Sequence, residues 1–264
     1  MTSNLIKFHS CHISNNENEF SPVPVKNYIP EWYKKKDKYI KNNDGFYELL
    51  FGSVNGKSTM HRLPSWKSCP ALLDVFLTGY YLLTPCDIEF KIINNDGFPP
   101  VEIFYDEKWK EIRHDKSILS TYFCVYRNKE DGLPHPEDYH EFTYAWRPNY
   151  YAEVPEGYTL LYVHPMNIPN LPFKTMSGFI DSTNPLIGNG NIPFYLKKNW
   201  EGVIPAGTPY AQVIPIKNES WKSEIINYSL EEMLDQINKK EKDYMIGHHL
   251  TRYKEKDWTK KTYE

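Results

Sequence analysis

The sequence predicts a mainly β body with an irregular N-terminal extension and a C-terminal helix, and three observations point there. Aromatic residues make up 16% of the chain, with 21 Tyr, and side chains of this kind favour strands. There are 20 Pro, a residue that sheets admit at edges and bulges and that otherwise braces loops. Between residues 101 and 215, runs of strand composition recur at short intervals with turn residues between them, the pattern of a sandwich or barrel-like body. At 264 residues the chain is ample for a sizeable core.

Taken in order, residues 1–56 are polar and irregular. Ser21-Pro22-Val23-Pro24-Val25 reads as an extended segment and Ile29-Pro30-Glu31-Trp32-Tyr33 as an anchor, followed by Lys34-Lys35-Lys36 as a solvated helix face. A turn at Pro64 precedes a short helical stretch over 71–77. Strand-like text then covers 80–93, broken by Pro85, and ends at the Asn95-Asp96-Gly97 turn. Further strands are expected over 101–105, 120–126, 140–146, 157–164, 177–180, 192–196 and 211–216. The period then changes. Ser229-Leu230-Glu231-Glu232 fits a capping box, and Leu230, Met233, Leu234 and Ile237 fall on one helical face, which predicts a helix to about Met245. No internal repeat is visible. These features divide the chain into an extension over 1–58, a β domain over 59–220 and a helix with tail over 221–264.

Charge excludes some functions. The chain has 31 Lys and Arg against 34 Asp and Glu, so no basic field is available for a polyanion and nucleic acid is not expected as a partner. No apolar stretch approaches the ~20 residues of a membrane helix, and residues 1–12 lack the apolar core of a signal peptide, so a soluble, cytoplasmic protein is expected. Cys11, Cys69, Cys86 and Cys124 have no metal-ligand or disulfide-framework spacing, so reduced structural thiols are expected.

The central region carries a resemblance. Gly157-Tyr158-Thr159-Leu160-Leu161-Tyr162-Val163, Ser177-Gly178-Phe179-Ile180-Asp181 and Ile204-Pro205-Ala206-Gly207-Thr208-Pro209-Tyr210-Ala211-Gln212-Val213-Ile214 resemble the dUTPase and dCTP deaminase superfamily, and Leu77-Thr78-Gly79-Tyr80-Tyr81-Leu82 stands where that superfamily has its upstream motif. The resemblance implies a dUTPase-like β-clip body, a homo-oligomer with the trimer favoured, and clefts between subunits. It places Ile180 in the core and turns the Asp181 carboxylate toward a cleft, where it can act as a general base on water. Gly207 would serve a turn needing positive φ, and Gln212 would hydrogen-bond backbone across strands or face ligand.

The departures from that pattern are equally specific. Tyr81 replaces an Asp of the first motif, and His164-Pro165-Met166-Asn167-Ile168-Pro169 replaces an Arg-Ser-Ser phosphate element. A phosphate clamp needs a cation with hydroxyls or amides, and proline removes amides. The capped helix and Lys-rich tail stand where the superfamily has a glycine-rich arm. A second resemblance covers almost the whole chain. Pro30-Glu31-Trp32-Tyr33, Lys67-Ser68-Cys69-Pro70, Gly79-Tyr80, His164-Pro165-Met166-Asn167, Leu171-Pro172-Phe173 and the two strand motifs are similar to a family of uncharacterised proteins of bacteria and tailed phages.

The candidate site residues follow. His164 and Asp181 read either as an acid/base couple or as a hydrogen-bonded pair that fixes loop geometry; Asn167, Lys174 and Gln212 are candidate ligand contacts. Gly52-Ser53-Val54-Asn55-Gly56-Lys57-Ser58 ends like a phosphate loop but has three residues between its glycines where four are required, so it reads as an ordinary turn. His9, His12 and His248-His249 lack acidic or Cys partners at ligand spacing, and no metal or cofactor is expected. Two functions remain. One is a binding or assembly module, with a phage particle or a small molecule as its further partner. The other is a divergent enzyme acting on a nucleotide or another small anionic molecule, and a divalent metal belongs to that alternative only.

Overall fold

The computed structural model describes residues 4–10, 20–54, 57–93, 101–105, 123–127, 134–183, 190–236, 253 and 257–264. The chain is mainly β. It forms two compact units, Met1–Asn27 with Gly79–Asn218, and Tyr28–Thr78 with Glu219–Glu264.

The first unit holds most of the strands, numbered in chain order. β2 (Val23–Pro24), β5 (Tyr80–Leu83), β11 (Tyr158–Val163), β13 (Gly178–Ile180) and β16 (Pro209–Lys217) form a five-stranded sheet in the order β13-β11-β16-β5-β2. β8 (Cys124–Tyr126), β9 (Tyr139–Trp146), β12 (Phe173–Thr175) and β14 (Ile192–Lys197) form a second sheet in the order β12-β14-β9-β8. Smaller sheets pair β1 (Lys7–Ser10) with β10 (Tyr150–Glu153), and β15 (Gly202–Ile204) with β6 (Ile88–Ile92) and β7 (Val101–Tyr105). All pairings are antiparallel.

Alternation explains the core. On β5, Leu82 joins a large cluster while Tyr81 and Leu83 pack with Val25 in a smaller one, so the strand is covered on both faces. β16 buries four consecutive residues, Tyr210 to Val213, for the same reason. The large cluster centres on Trp146, whose ring stacks on Phe194 at 3.9 Å and meets Phe173 edge-on at 5.0 Å. Aromatic pairs of this geometry add ~1 kcal/mol each to the burial of their area. Pro85 divides the 80–93 run as expected, between β5 and β6, while the turn at 95–97 and residues 120–122 lie outside the described residues.

In the second unit, α1 (Glu31–Lys35) buries Tyr33 against Phe76 at 4.8 Å and keeps Lys34 and Lys35 on its exposed side. α2 (Pro70–Val75) starts with Pro at its first position, where the missing amide costs nothing. A hairpin of β3 (Leu49–Val54) and β4 (Lys57–Arg62) occupies part of the segment that reads as irregular. The tail returns to α2, where the Trp258 indole donates to Asp74 at 2.9 Å. A helix, α3, spans 230–236. Its capping box is formed: the Ser229 amide donates to the Glu232 carboxylate at 2.8 Å and the Glu232 amide to the Ser229 hydroxyl at 3.2 Å. The remainder of the expected helix, to 245, lies outside the described residues, as do Cys11, His12 and His248-His249.

Candidate functional site

The residues singled out by sequence meet around the β11, β12 and β13 strands, but not as one constellation. β11 ends at Val163, opposite Gln212 on β16, and His164 follows. The His164 ring lies edge-on to Phe173 at 5.8 Å, and its Nδ1 accepts the Thr175 amide at 3.2 Å. That bond puts the proton of the neutral ring on Nε2. Burial, reinforced by the Lys174 charge, pushes the His164 pKa down to about 4. Thr175 continues the network inward, its hydroxyl donating to the Tyr210 carbonyl at 2.5 Å and accepting the Trp146 indole at 3.3 Å. His164 therefore ties the end of β11 to β12.

Asp181 stands elsewhere. The antiparallel register of β11 and β13 sets Tyr162 opposite Gly178 and Leu160 opposite Ile180. Asp181 follows Ile180, so it falls level with residue 159, and at ~3.3 Å per residue it lies ~16 Å along the sheet from His164. The expected acid/base couple is not formed; chain direction separates the two groups, which spacing alone does not display. Ile180 packs against the core and Asp181 is exposed. The neighbouring Ser182 is buried and its hydroxyl donates to the Ala152 carbonyl.

The other candidates divide as well. Gln212 is fully buried and its Oε1 accepts the Met166 amide at 3.1 Å, so it braces the turn after β11 rather than facing ligand. Asn167 sits in that turn, exposed and with φ of 57°, a conformation Asn tolerates. Tyr81, at the position of a motif carboxylate, is fully buried, and burial raises its pKa to about 12. Gly207 has φ of 77°, as its turn requires. The phosphate-loop lookalike belongs to the β3–β4 hairpin, and a strand rather than a helix follows it. His9 is bound to Glu153 at 2.8 Å, beside the Lys7–Glu153 pair at 2.6 Å. Among the described residues, no three His, Cys, Asp or Glu are grouped to hold a metal ion.

Lys174 alone lines a cavity. Strand alternation buries Phe173 and Thr175 and turns Lys174 outward into a surface cavity of about 390 Å³. Tyr195, with its hydroxyl donated to the Pro134 carbonyl at 2.8 Å, forms the floor, and His135, Met176 and Ser177 complete the walls. The Lys174 cation, the Ser177 hydroxyl and the Tyr195 ring can hold a small anion or a ring. Among the described residues its walls carry no carboxylate. Sequence reading missed His135 and Tyr195; they lie far from residue 174 in the chain and meet it only through β14 and the segment before β9.

No family model matches the chain. Over 161 residues it is 26% identical to a protein described as xylanase/beta-glucanase from Ruminococcus flavefaciens, a match that covers 55% of this chain. The matched region spans 19% of that relative's length.

Proposed function

We propose that the chain is a binding or assembly module built on a dUTPase-like β-clip body, homo-oligomeric with a trimer favoured by that resemblance, cytoplasmic and phage-associated. The observation that carries this reading is the surface of residues 221–234, where Trp221, Ile225, Ile226, Tyr228, Leu230, Met233 and Leu234 are all exposed. Large apolar side chains exposed together in one short segment mark an interaction site. Support comes from the burial of Tyr81 where the resemblance has a carboxylate, and from His164, a neutral tie between strands rather than an acid. A reducing compartment suits the reduced thiols of Cys69, Cys86 and Cys124, the last with its pKa raised by burial. No helix among the described residues is long and apolar enough to cross a membrane.

A divergent enzyme acting on a nucleotide or another small anionic molecule, with Asp181 as general base, is the competing reading. The exposure of Asp181 at the end of β13 favours it, and its distance from His164 weighs against it. Glycan hydrolysis, the activity in the relative's name, needs two carboxylates facing each other across a cleft. Among the described residues, the cavity beside Lys174 has none.

The test sets the wild type beside Asp181→Asn. Light scattering is expected to give a defined oligomer for both, with no turnover of nucleoside triphosphates or deoxynucleotides. Turnover by the wild type that Asp181→Asn abolishes would overturn the assembly reading in favour of the enzyme.

A further inference from the structure

Two surfaces of the chain expose large apolar side chains and carry opposite charge. The first is the strap over 219–236, an irregular stretch leading into α3. Trp221 is 86% exposed and Ile225 87%, and Ile226, Tyr228, Leu230, Met233 and Leu234 accompany them. The strap holds five acids, Glu219, Glu224, Glu231, Glu232 and Asp235, against one base, Lys222. The second surface is the arm formed by residues 31–67 around the β3–β4 hairpin. Phe51 is 72% exposed, and Phe46, Leu49, Leu50, Met60 and Trp66 are exposed with it. Residues 31–67 contain eight Lys or Arg against four Asp or Glu, with Lys35, Lys36 and Lys38 exposed and Arg62 over the Tyr47 ring at 4.3 Å.

Both surfaces are exposed in the same copy, so neither covers the other within it. A strap on a second strap would set five acids against five and gain nothing from charge. A strap on an arm joins a surface with an acid excess of four to one with a basic excess of four. Seven apolar side chains at ~100 Å² each offer ~700 Å² from the strap, close to the ~800 Å² per partner of a stable interface. We propose that the strap 219–236 of one copy docks on the β3–β4 arm of a second copy in a head-to-tail contact. Contacts of this kind close into rings when the rotation between copies permits. The inference rests on the assembly reading above and names the surfaces and the polarity of that assembly.

Sedimentation of the full chain tests it with two variants, Ile225→Asp/Ile226→Asp in the strap and Leu50→Asp/Phe51→Asp in the arm. Every altered side chain is exposed, so both variants should keep the wild-type circular dichroism. The wild type is expected to assemble, and each variant alone to lose affinity ~100-fold or more. An equimolar mixture of the two is expected to recover a one-to-one dimer, because a variant strap still leaves an intact arm and a variant arm an intact strap. If either double variant misfolds, Glu224→Lys and Lys36→Glu serve in the same way, each weakening assembly and the mixture restoring it. A mixture that stays monomeric, or a single variant that assembles like the wild type, overturns the head-to-tail pairing while assembly itself stands. A wild type that remains monomeric to ~100 μM, where even a weak ~10 μM contact would show, overturns both readings.

Discussion

The His164 imidazole is held between Phe173 and the Thr175 amide, and burial with the nearby Lys174 charge keeps it neutral down to pH about 4. In the unfolded chain the same group titrates near 6.5. Between those values the unfolded state binds the extra proton, so this contribution is intact above pH 6.5, falls as the pH drops, and is gone below about 4. At ~1.4 kcal/mol for each tenfold change in proton affinity, the loss reaches ~3 kcal/mol. Urea unfolding at several pH values is expected to show this slope in the wild type and to lose it in His164→Gln, whose amide oxygen can still accept from Thr175. An unchanged slope in the variant would assign the acid sensitivity to other groups. A His before Pro at a strand end is legible in sequence; its hydrogen bond to residue 175 is not, because the partner is a backbone amide supplied by another strand.

At the scale of elements, β16 and β5 depend on a close approach at Gly79. Its φ is 77°, and a Cβ there would collide with the Val213 carbonyl. Gly79→Ala is therefore expected to combine backbone strain with a main-chain clash and to cost ~3 kcal/mol or more, read as a fall in the denaturation midpoint. A variant as stable as the wild type would mean that the two strands part without penalty. Strong apolar runs made most strands readable: 140–146, 157–164 and 192–196 lie within one or two residues of β9, β11 and β14. The hairpin of β3 and β4 escaped because Leu49, Leu50 and Phe51 run together without apolar-polar alternation, although Asn55-Gly56 between Val54 and Lys57 is a strong local hairpin signal. The short β12 and β15 escaped for another reason: three-residue strands take their identity from the neighbours they pair with.

For the whole molecule, assembly couples stability to concentration. If copies dock through strap and arm, the folded assembly gains free energy by mass action and its melting temperature rises with protein concentration. The strap variant Ile225→Asp/Ile226→Asp is expected to melt at one temperature across a ~100-fold dilution, while the wild type shifts by several degrees. Equal behaviour of the two proteins would show that the strap takes no part in holding copies together. The exposed Leu230, Met233 and Leu234 make the same point structurally. Their helical spacing predicts an apolar face, and whether that face meets the core of its own copy is a tertiary question.

By itself the sequence determined the mainly β class, the positions of its stronger strands, the turn at Gly207 and the capping box at Ser229, because each depends on neighbours within a few residues. Only the tertiary structure decided what these parts bring together. The antiparallel register of β11 and β13 set His164 and Asp181 apart, the pairing of β12 with β14 placed Lys174 opposite Tyr195, and packing left the strap and arm uncovered. The physical reason is that periodicity and capping are local energies, whereas register and burial are settled by partners distant in the chain.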